Sequence, residues 1–289
     1  MMKIDDIKKI CIIGAGNMGH QISICAALAG FEVTCNDISQ DMLDTANNFA
    51  QSYLAKKVEK GKLTEEQANL ALAKLSFTRD LEQAAGGADF IIEAAVENLD
   101  IKRKLFAELD RIAPSHAILA TNSSYIVSSR IADATKRPEK VCNLHFFNPA
   151  LVMKLVEVVQ GPHTSEETTQ VAMDLCQKLG KIGVRLKKEI YGFLVNRILT
   201  AIKNEALFLA DAGIASPEEI DTAIVNALGH PMGPFKLMDL TGIDLAYQIC
   251  MEKYKESLDP KDKPSPLLVE KYVRQEFGKK TNKGWYSYN

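Results

Sequence analysis

The chain has 289 residues, 46% of them hydrophobic and 25% charged, with a formal net charge of −2. That length predicts one or two domains with a core large enough to need no metal or disulfide staple, and the charge argues against the basic footprint of a nucleic-acid binder. No apolar run reaches the roughly 20 residues of a membrane-spanning helix, and the start Met1-Met2-Lys3-Ile4-Asp5-Asp6 lacks signal-peptide features, so a cytoplasmic protein without membrane attachment is expected.

The first strand-like run, Lys9–Ile13, leads into Gly14-Ala15-Gly16-Asn17-Met18-Gly19, then the helical stretch Ile22–Leu28, then a second strand-like run, Phe31–Asn36, closed by Asp37. Strand, glycine turn, helix, strand and acid form the dinucleotide-binding arrangement. Gly14 permits the tight turn, Gly16 admits a pyrophosphate, and Gly19 lets the helix pack closely on the sheet. The helix start offers free N–H groups and a positive dipole end to the phosphates. Asp37 suits the ribose hydroxyls and repels a 2′-phosphate. With no arginine in Asn36-Asp37-Ile38-Ser39, the expected cofactor is NAD rather than NADP.

Residues 39 to 73 are helical and rich in lysine, with a break at Gly61 and a capping-box pattern at Thr64–Gln67. A helix pair projecting from the sheet fits this stretch. Further strands are expected at Leu75–Thr78, Phe90–Glu93, Ala117–Thr121, Val141–Phe146 and Lys154–Val159, with an edge strand at 183–186. The alternation implies a Rossmann-type, doubly wound, mostly parallel α/β sheet. From Gly192 onward the pattern is helical, with a strand signal returning only at 285–288. The expected division is an NAD-binding domain at 1–188 and an all-α domain at 189–289.

Six cysteines without a CxxC pair read as buried free thiols, and five histidines without HxxxH spacing give no metal signature. Candidate chemistry gathers at strand ends. His145 closes one strand, and Glu157 lies on the next, where it can orient the imidazole for proton exchange with an alcohol or ketone. A strand-end histidine can equally be a structural hydrogen-bonder. Thr121-Asn122-Ser123-Ser124 can cap a turn or donate to a substrate oxygen. Glu97 falls near the expected nicotinamide end. Lys102, at a helix start where the dipole favours an acid, reads as an anion contact or as a solvated lysine.

The segments EAAVEN, TNSS, HFFNPALVMKLVEVV, GFLVNRIL, GHPMGPFKLMDLTGID and the end Gly284-Trp-Tyr286, with the early GAGNMG turn, cover nearly the whole chain. Through them the sequence resembles the short-chain L-3-hydroxyacyl-CoA dehydrogenases, whose bacterial members are 3-hydroxybutyryl-CoA dehydrogenases. The resemblance implies that His145 is the acid–base, Glu157 its orienting partner, and Ser124 and Asn196 the groups at the substrate's 3-oxygen. It places Asn148, Glu97, Lys102 and Ser124 at the cofactor beside the glycine turn and Asp37. It also places Lys102, Ser52 and Lys57 at the CoA moiety of an acyl-CoA substrate, and a homodimer interface in the second domain. Two positions depart from the family pattern. Tyr191 stands where a proline usually precedes Gly192, and Tyr125 follows the serines of the TNSS turn. A dehydrogenase of a non-CoA 3-hydroxy acid or sugar acid, and a catalytically silent dinucleotide binder, are the competing readings.

Overall fold

The structure, a computed structural model, describes residues 2–288, excepting the side chain of Glu256. Its chain divides into two compact units, Met1–Leu194 and Val195–Asn289. The division falls a few residues after the Lys188 boundary expected from the sequence.

The first unit is built on β1 (Lys9–Ile13), β2 (Glu32–Asn36), β3 (Leu75–Thr78), β4 (Phe90–Glu93), β5 (Ile118–Thr121), β6 (Val141–Phe146), β7 (Leu155–Val159) and β8 (Ile182–Leu186). They form one sheet in the order β3-β2-β1-β4-β5-β6-β7-β8. Every neighbouring pair is parallel except β6 and β7, which run antiparallel. The physical reason for that reversal is the connection. A short loop can return a chain only antiparallel to itself, whereas a parallel neighbour needs a long crossover.

Helices α1 (Asn17–Leu28), α2 (Gln40–Glu59), α3 (Glu65–Ala73), α4 (Leu81–Ala85), α5 (Leu99–Ile112), α6 (Ser129–Ala132) and α7 (Glu166–Lys178) cover the sheet. Strand residues alternate between its two faces. Thus Ile10 and Ile12 of β1 join one core with Ile22, Leu54 and Leu175, while Cys11 and Ile13 join another with Phe106, Leu109 and Ile131. Both faces are buried, as the doubly wound class requires.

The expected helix pair is α2 and α3. Gly61 breaks it at φ +62°, and Thr64 and Gln67 cap α3 reciprocally, at 3.1 and 2.9 Å. Leu54, Ala50, Ala68 and Ala71 seat its inner face in the core, while Lys56, Lys60 and Lys62 stay exposed.

The second unit holds α8 (Val195–Asp211), α9 (Pro217–Leu228), α10 (Pro234–Thr241), α11 (Ile243–Ser257) and α12 (Pro266–Val273). Leu207, Ile220, Phe235, Met238, Leu268 and Trp285 form its core. The aromatic tail departs from the strand expected at 285–288, since it makes only isolated bridges. Its backbone is spent elsewhere. The N–H groups of Trp285 and Tyr286 donate to the buried Asp239 carboxylate at 2.9 and 3.0 Å, and the Tyr288 hydroxyl donates to it at 2.8 Å. Asp221, also buried, accepts from the N–H groups of Phe235 and Lys236 and from the Tyr286 hydroxyl.

Candidate active site

The glycine turn leaves the end of β1. Gly14 has φ +99°, and a Cβ there would lie 2.7 Å from the Ala94 carbonyl oxygen. A Cβ on Gly19 would lie 1.7 Å from the Gly14 carbonyl oxygen, so α1 packs on the turn only because that atom is missing. Gly16 differs, because its added Cβ would meet no protein atom within 4 Å. Nothing in the protein demands glycine at position 16, whereas a pyrophosphate seated on the start of α1 would. Asp37 follows β2. One carboxylate oxygen accepts from the Ala15 N–H at 2.8 Å and the other from the Ser39 N–H at 2.9 Å, which fixes the group beside the turn. Gly14, Gly16 and Asp37 line a cleft of about 650 Å³ with Ile38, Met42, Arg79, Val96 and Leu105. A dinucleotide fits this donor and acceptor set. The turn supplies N–H groups for phosphate, Asp37 can accept from ribose hydroxyls, and exposed Ile38 and Val96 offer apolar surface to an adenine.

The β6–β7 register sets His145 directly opposite Glu157. His145 Nδ1 lies 2.8 Å from a Glu157 oxygen, and both side chains are buried. An ionised carboxylate only accepts, so Nδ1 donates and Nε2 is left to exchange a proton. Nε2 lies 3.0 Å from the Ser124 hydroxyl. The second Glu157 oxygen accepts from the Leu194 N–H at 3.0 Å. The rings of Phe147 and Phe193 pack 4.6 and 5.5 Å from the imidazole, which keeps bulk water from much of this hydrogen-bonded pair.

The end of β4 and the start of α5 carry a second charged group that sequence reasoning only touched. Glu93, wholly buried, accepts from Lys102 at 2.6 Å, from the Ala95 N–H at 2.7 Å and from the Thr121 hydroxyl at 2.7 Å. Lys102 is 1% exposed and lies 3.5 Å from Glu97, whose carboxylate also accepts from the Ser123 hydroxyl. The solvated-lysine reading of Lys102 is therefore corrected. Two acids draw the ammonium inward, and their charge outweighs the unfavourable helix dipole. Glu97, Lys102, Ser124, Tyr125 and Met18 line one pocket of about 280 Å³.

Asn148 follows β6, and its side-chain oxygen accepts from Asn17 of the glycine turn at 2.9 Å. The nucleotide turn and the His145 strand end are thereby tied together. On α2, Ser52 is exposed and the Lys57 ammonium lies 5.0 Å from the Tyr53 ring. Asn196 lies in the first turn of α8, in the second unit. The two residues that depart from the family pattern meet, since the Tyr125 and Tyr191 rings lie 5.0 Å apart. Arg79 and Glu93 are the contributors the sequence reading did not single out. The signal available for each was its position at or just beyond the carboxyl end of a parallel strand. Among the described residues no group of acids, histidines and cysteines could hold a metal ion, and no helix is long and apolar enough to cross a membrane. Burial pushes the Cys142 and Cys176 thiols up to about 12.

A doubly wound sheet with this turn and this acid defines an NAD-binding oxidoreductase of the Rossmann class. The chain belongs, further, to the 3-hydroxyacyl-CoA dehydrogenase family. Residues 9–190 match the profile of its NAD-binding domain and residues 192–288 that of its C-terminal domain. A probable 3-hydroxybutyryl-CoA dehydrogenase of Bacillus subtilis is 41% identical over 98% of each chain. The crystal structure of the (S)-3-hydroxybutyryl-CoA dehydrogenase PaaH1 from Ralstonia eutropha superposes with a TM-score of 0.91, at 36% identity over 98% of this chain and 99% of the other. A diketoreductase that acts on dicarbonyl compounds superposes with a TM-score of 0.88, at 33% identity over all of both chains.

Proposed function

We propose that this enzyme interconverts (S)-3-hydroxyacyl-CoA and 3-oxoacyl-CoA, with 3-hydroxybutyryl-CoA and acetoacetyl-CoA as the preferred pair. The observation that carries the reading is the run Ser124–His145–Glu157, with Nε2 facing a hydroxyl and Nδ1 facing a buried carboxylate. NAD, when bound, supplies the hydride acceptor, and its reduced form the donor. Gly14, Gly16, Asn17, Met18 and Gly19 would hold its phosphates, Asp37 its ribose, and Glu97, Asn148 and Ser124 its nicotinamide end.

In alcohol oxidation His145 removes the proton of the 3-hydroxyl through Nε2, and in ketone reduction it returns one. Glu157 fixes the ring and stabilises the imidazolium that each turnover passes through. Ser124 and Asn196 donate to the 3-oxygen as charge develops on it. Lys102 holds the β4–α5 loop through Glu93 and Glu97, while Ser52, Lys57 and the neighbouring Lys56 of α2 present donors and positive charge suited to the phosphates of CoA. The exposed Ile198, Phe208, Ile214 and Leu228 of the second unit are surface a homodimer would cover. A cytoplasmic setting fits the reduced thiols.

The likeness to a diketoreductase supports a second reading, a dicarbonyl or 3-hydroxy acid substrate without CoA. One experiment separates the two. NADH oxidation is followed with acetoacetyl-CoA and with acetoacetate esters lacking CoA. A kcat/KM at least 10²-fold higher for the thioester is expected. Equal values would support the second reading, and no oxidation of NADH with either would reject both.

A further inference from the structure

The turn after β2 contains no arginine, yet the sheet brings one to it. Arg79 follows β3, whose last residue, Thr78, pairs in register with Asn36 at the end of β2. The Asn36 side chain donates to the Thr78 carbonyl at 2.9 Å and locks the two strand ends together. Arg79 Nε then donates to the Ile38 carbonyl at 3.0 Å. That bond anchors the guanidinium to the residue that follows Asp37, and Arg79 and Asp37 line the same cleft as Gly14 and Gly16. Its two terminal nitrogens have no hydrogen-bond partner among the described residues.

We propose that Arg79 reads the 2′-position of the adenosine ribose together with Asp37. The guanidinium gives the cleft a capacity for a 2′-phosphate, which the adjacent carboxylate suppresses. Two parallel N–H donors on a planar cation match a phosphate, while Asp37 repels it and accepts from ribose hydroxyls instead. The chain's preference for NAD is thus set by a balance of two side chains, and removing one negative charge shifts it toward NADP. The inference rests on the dinucleotide site and not on the acyl substrate, so it stands or falls separately from the proposed reaction.

The test is equilibrium titration of the full-length protein with NADH and with NADPH, followed by nicotinamide fluorescence. Asp37→Asn removes the charge but keeps a carbonyl oxygen for a main-chain donor. NADPH affinity is expected to rise at least tenfold in this variant. Asp37→Asn/Arg79→Ala is expected to lose most of that gain. In the otherwise native chain, Arg79→Ala is expected to weaken NADPH more than NADH. This comparison needs no change at Asp37 and so serves if that variant misfolds. Equal losses for the two nucleotides on removing Arg79, or an undiminished gain in the double variant, would overturn the proposal.

Discussion

Lys102 and Glu93 form an ion pair of 2.6 Å whose members are 1% and 0% exposed. Charges so sealed do not act as an optional surface bridge. Removing the lysine alone leaves the Glu93 carboxylate buried with only the Ala95 N–H and the Thr121 hydroxyl to meet it. Lys102→Met is therefore expected to destabilise the first unit by about 3–5 kcal/mol. Replacing both, as Lys102→Met/Glu93→Gln, is expected to recover much of that loss. Urea unfolding followed by far-UV circular dichroism checks the ordering. A double variant less stable than Lys102→Met would contradict it.

Gly16 and Gly19 separate binding from folding. Gly19→Ala drives a methyl into the Gly14 carbonyl, 1.7 Å away. Its expected cost is roughly 1–3 kcal/mol or more, because the contact is with backbone rather than with a movable side chain. Gly16→Ala meets no protein atom within 4 Å, so its Tm should remain close to that of the parent. NADH affinity should nonetheless fall at least tenfold, since the methyl occupies space the pyrophosphate needs. Thermal melts and fluorescence titrations on both variants read the two effects apart.

For His145→Gln, turnover should fall by roughly 10²–10⁴-fold while NADH affinity changes little, as expected when only a general acid–base is lost. Glu157→Gln keeps the shape of its side chain but offers an amide that can donate to Nδ1 and so reverse the ring's tautomer. A loss of about 10²-fold or more is expected there too. The double variant should be little worse than His145→Gln alone, because the carboxylate acts through the imidazole. Steady-state rates with acetoacetyl-CoA test this, and additive losses would place Glu157 outside the dyad.

Acid should weaken the second unit through Glu276. The ammonium groups of Lys271 and Lys283 lie 2.6 and 2.7 Å from its oxygens and hold its carboxyl down to about 2. A carboxyl depressed in the folded state contributes stability that is complete above its unfolded pKa, near 4.3, and is lost as the pH falls toward 2. The destabilisation caused by Glu276→Gln should therefore be largest at pH 6 and shrink by pH 2.5. Trp285 is the chain's single tryptophan and sits in the core of this unit. Its fluorescence reports the transition selectively.

The elements of this protein are local in origin, and the sequence determined them by itself. Short apolar runs rich in strand-forming residues placed all eight strands to within a residue. Capping chemistry at Thr64 and the break at Gly61 set the helix pair, and the glycine turn with Asp37 declared the nucleotide. These features depend on residues close in the chain, so their spacing carries the information. The tail at 285–288 read as strand because aromatic residues favour extended backbone. Asp239, distant in sequence, claimed its N–H groups instead.

Only the tertiary structure decided which distant groups share a site. The pairing of His145 with Glu157 was legible in the sequence, but the contact itself depends on the loop that turns β7 antiparallel to β6 and fixes the register. Lys102 turned inward because two acids converge on it, a compensation that a helix-start rule cannot foresee. Tyr125 and Tyr191, which appear in the sequence as unrelated departures, are in contact. Arg79 reached the nucleotide cleft through strand pairing across more than 40 residues. Burial and register are properties of the packed sheet, and they reassign charge and contact in ways that residue spacing along the chain does not encode.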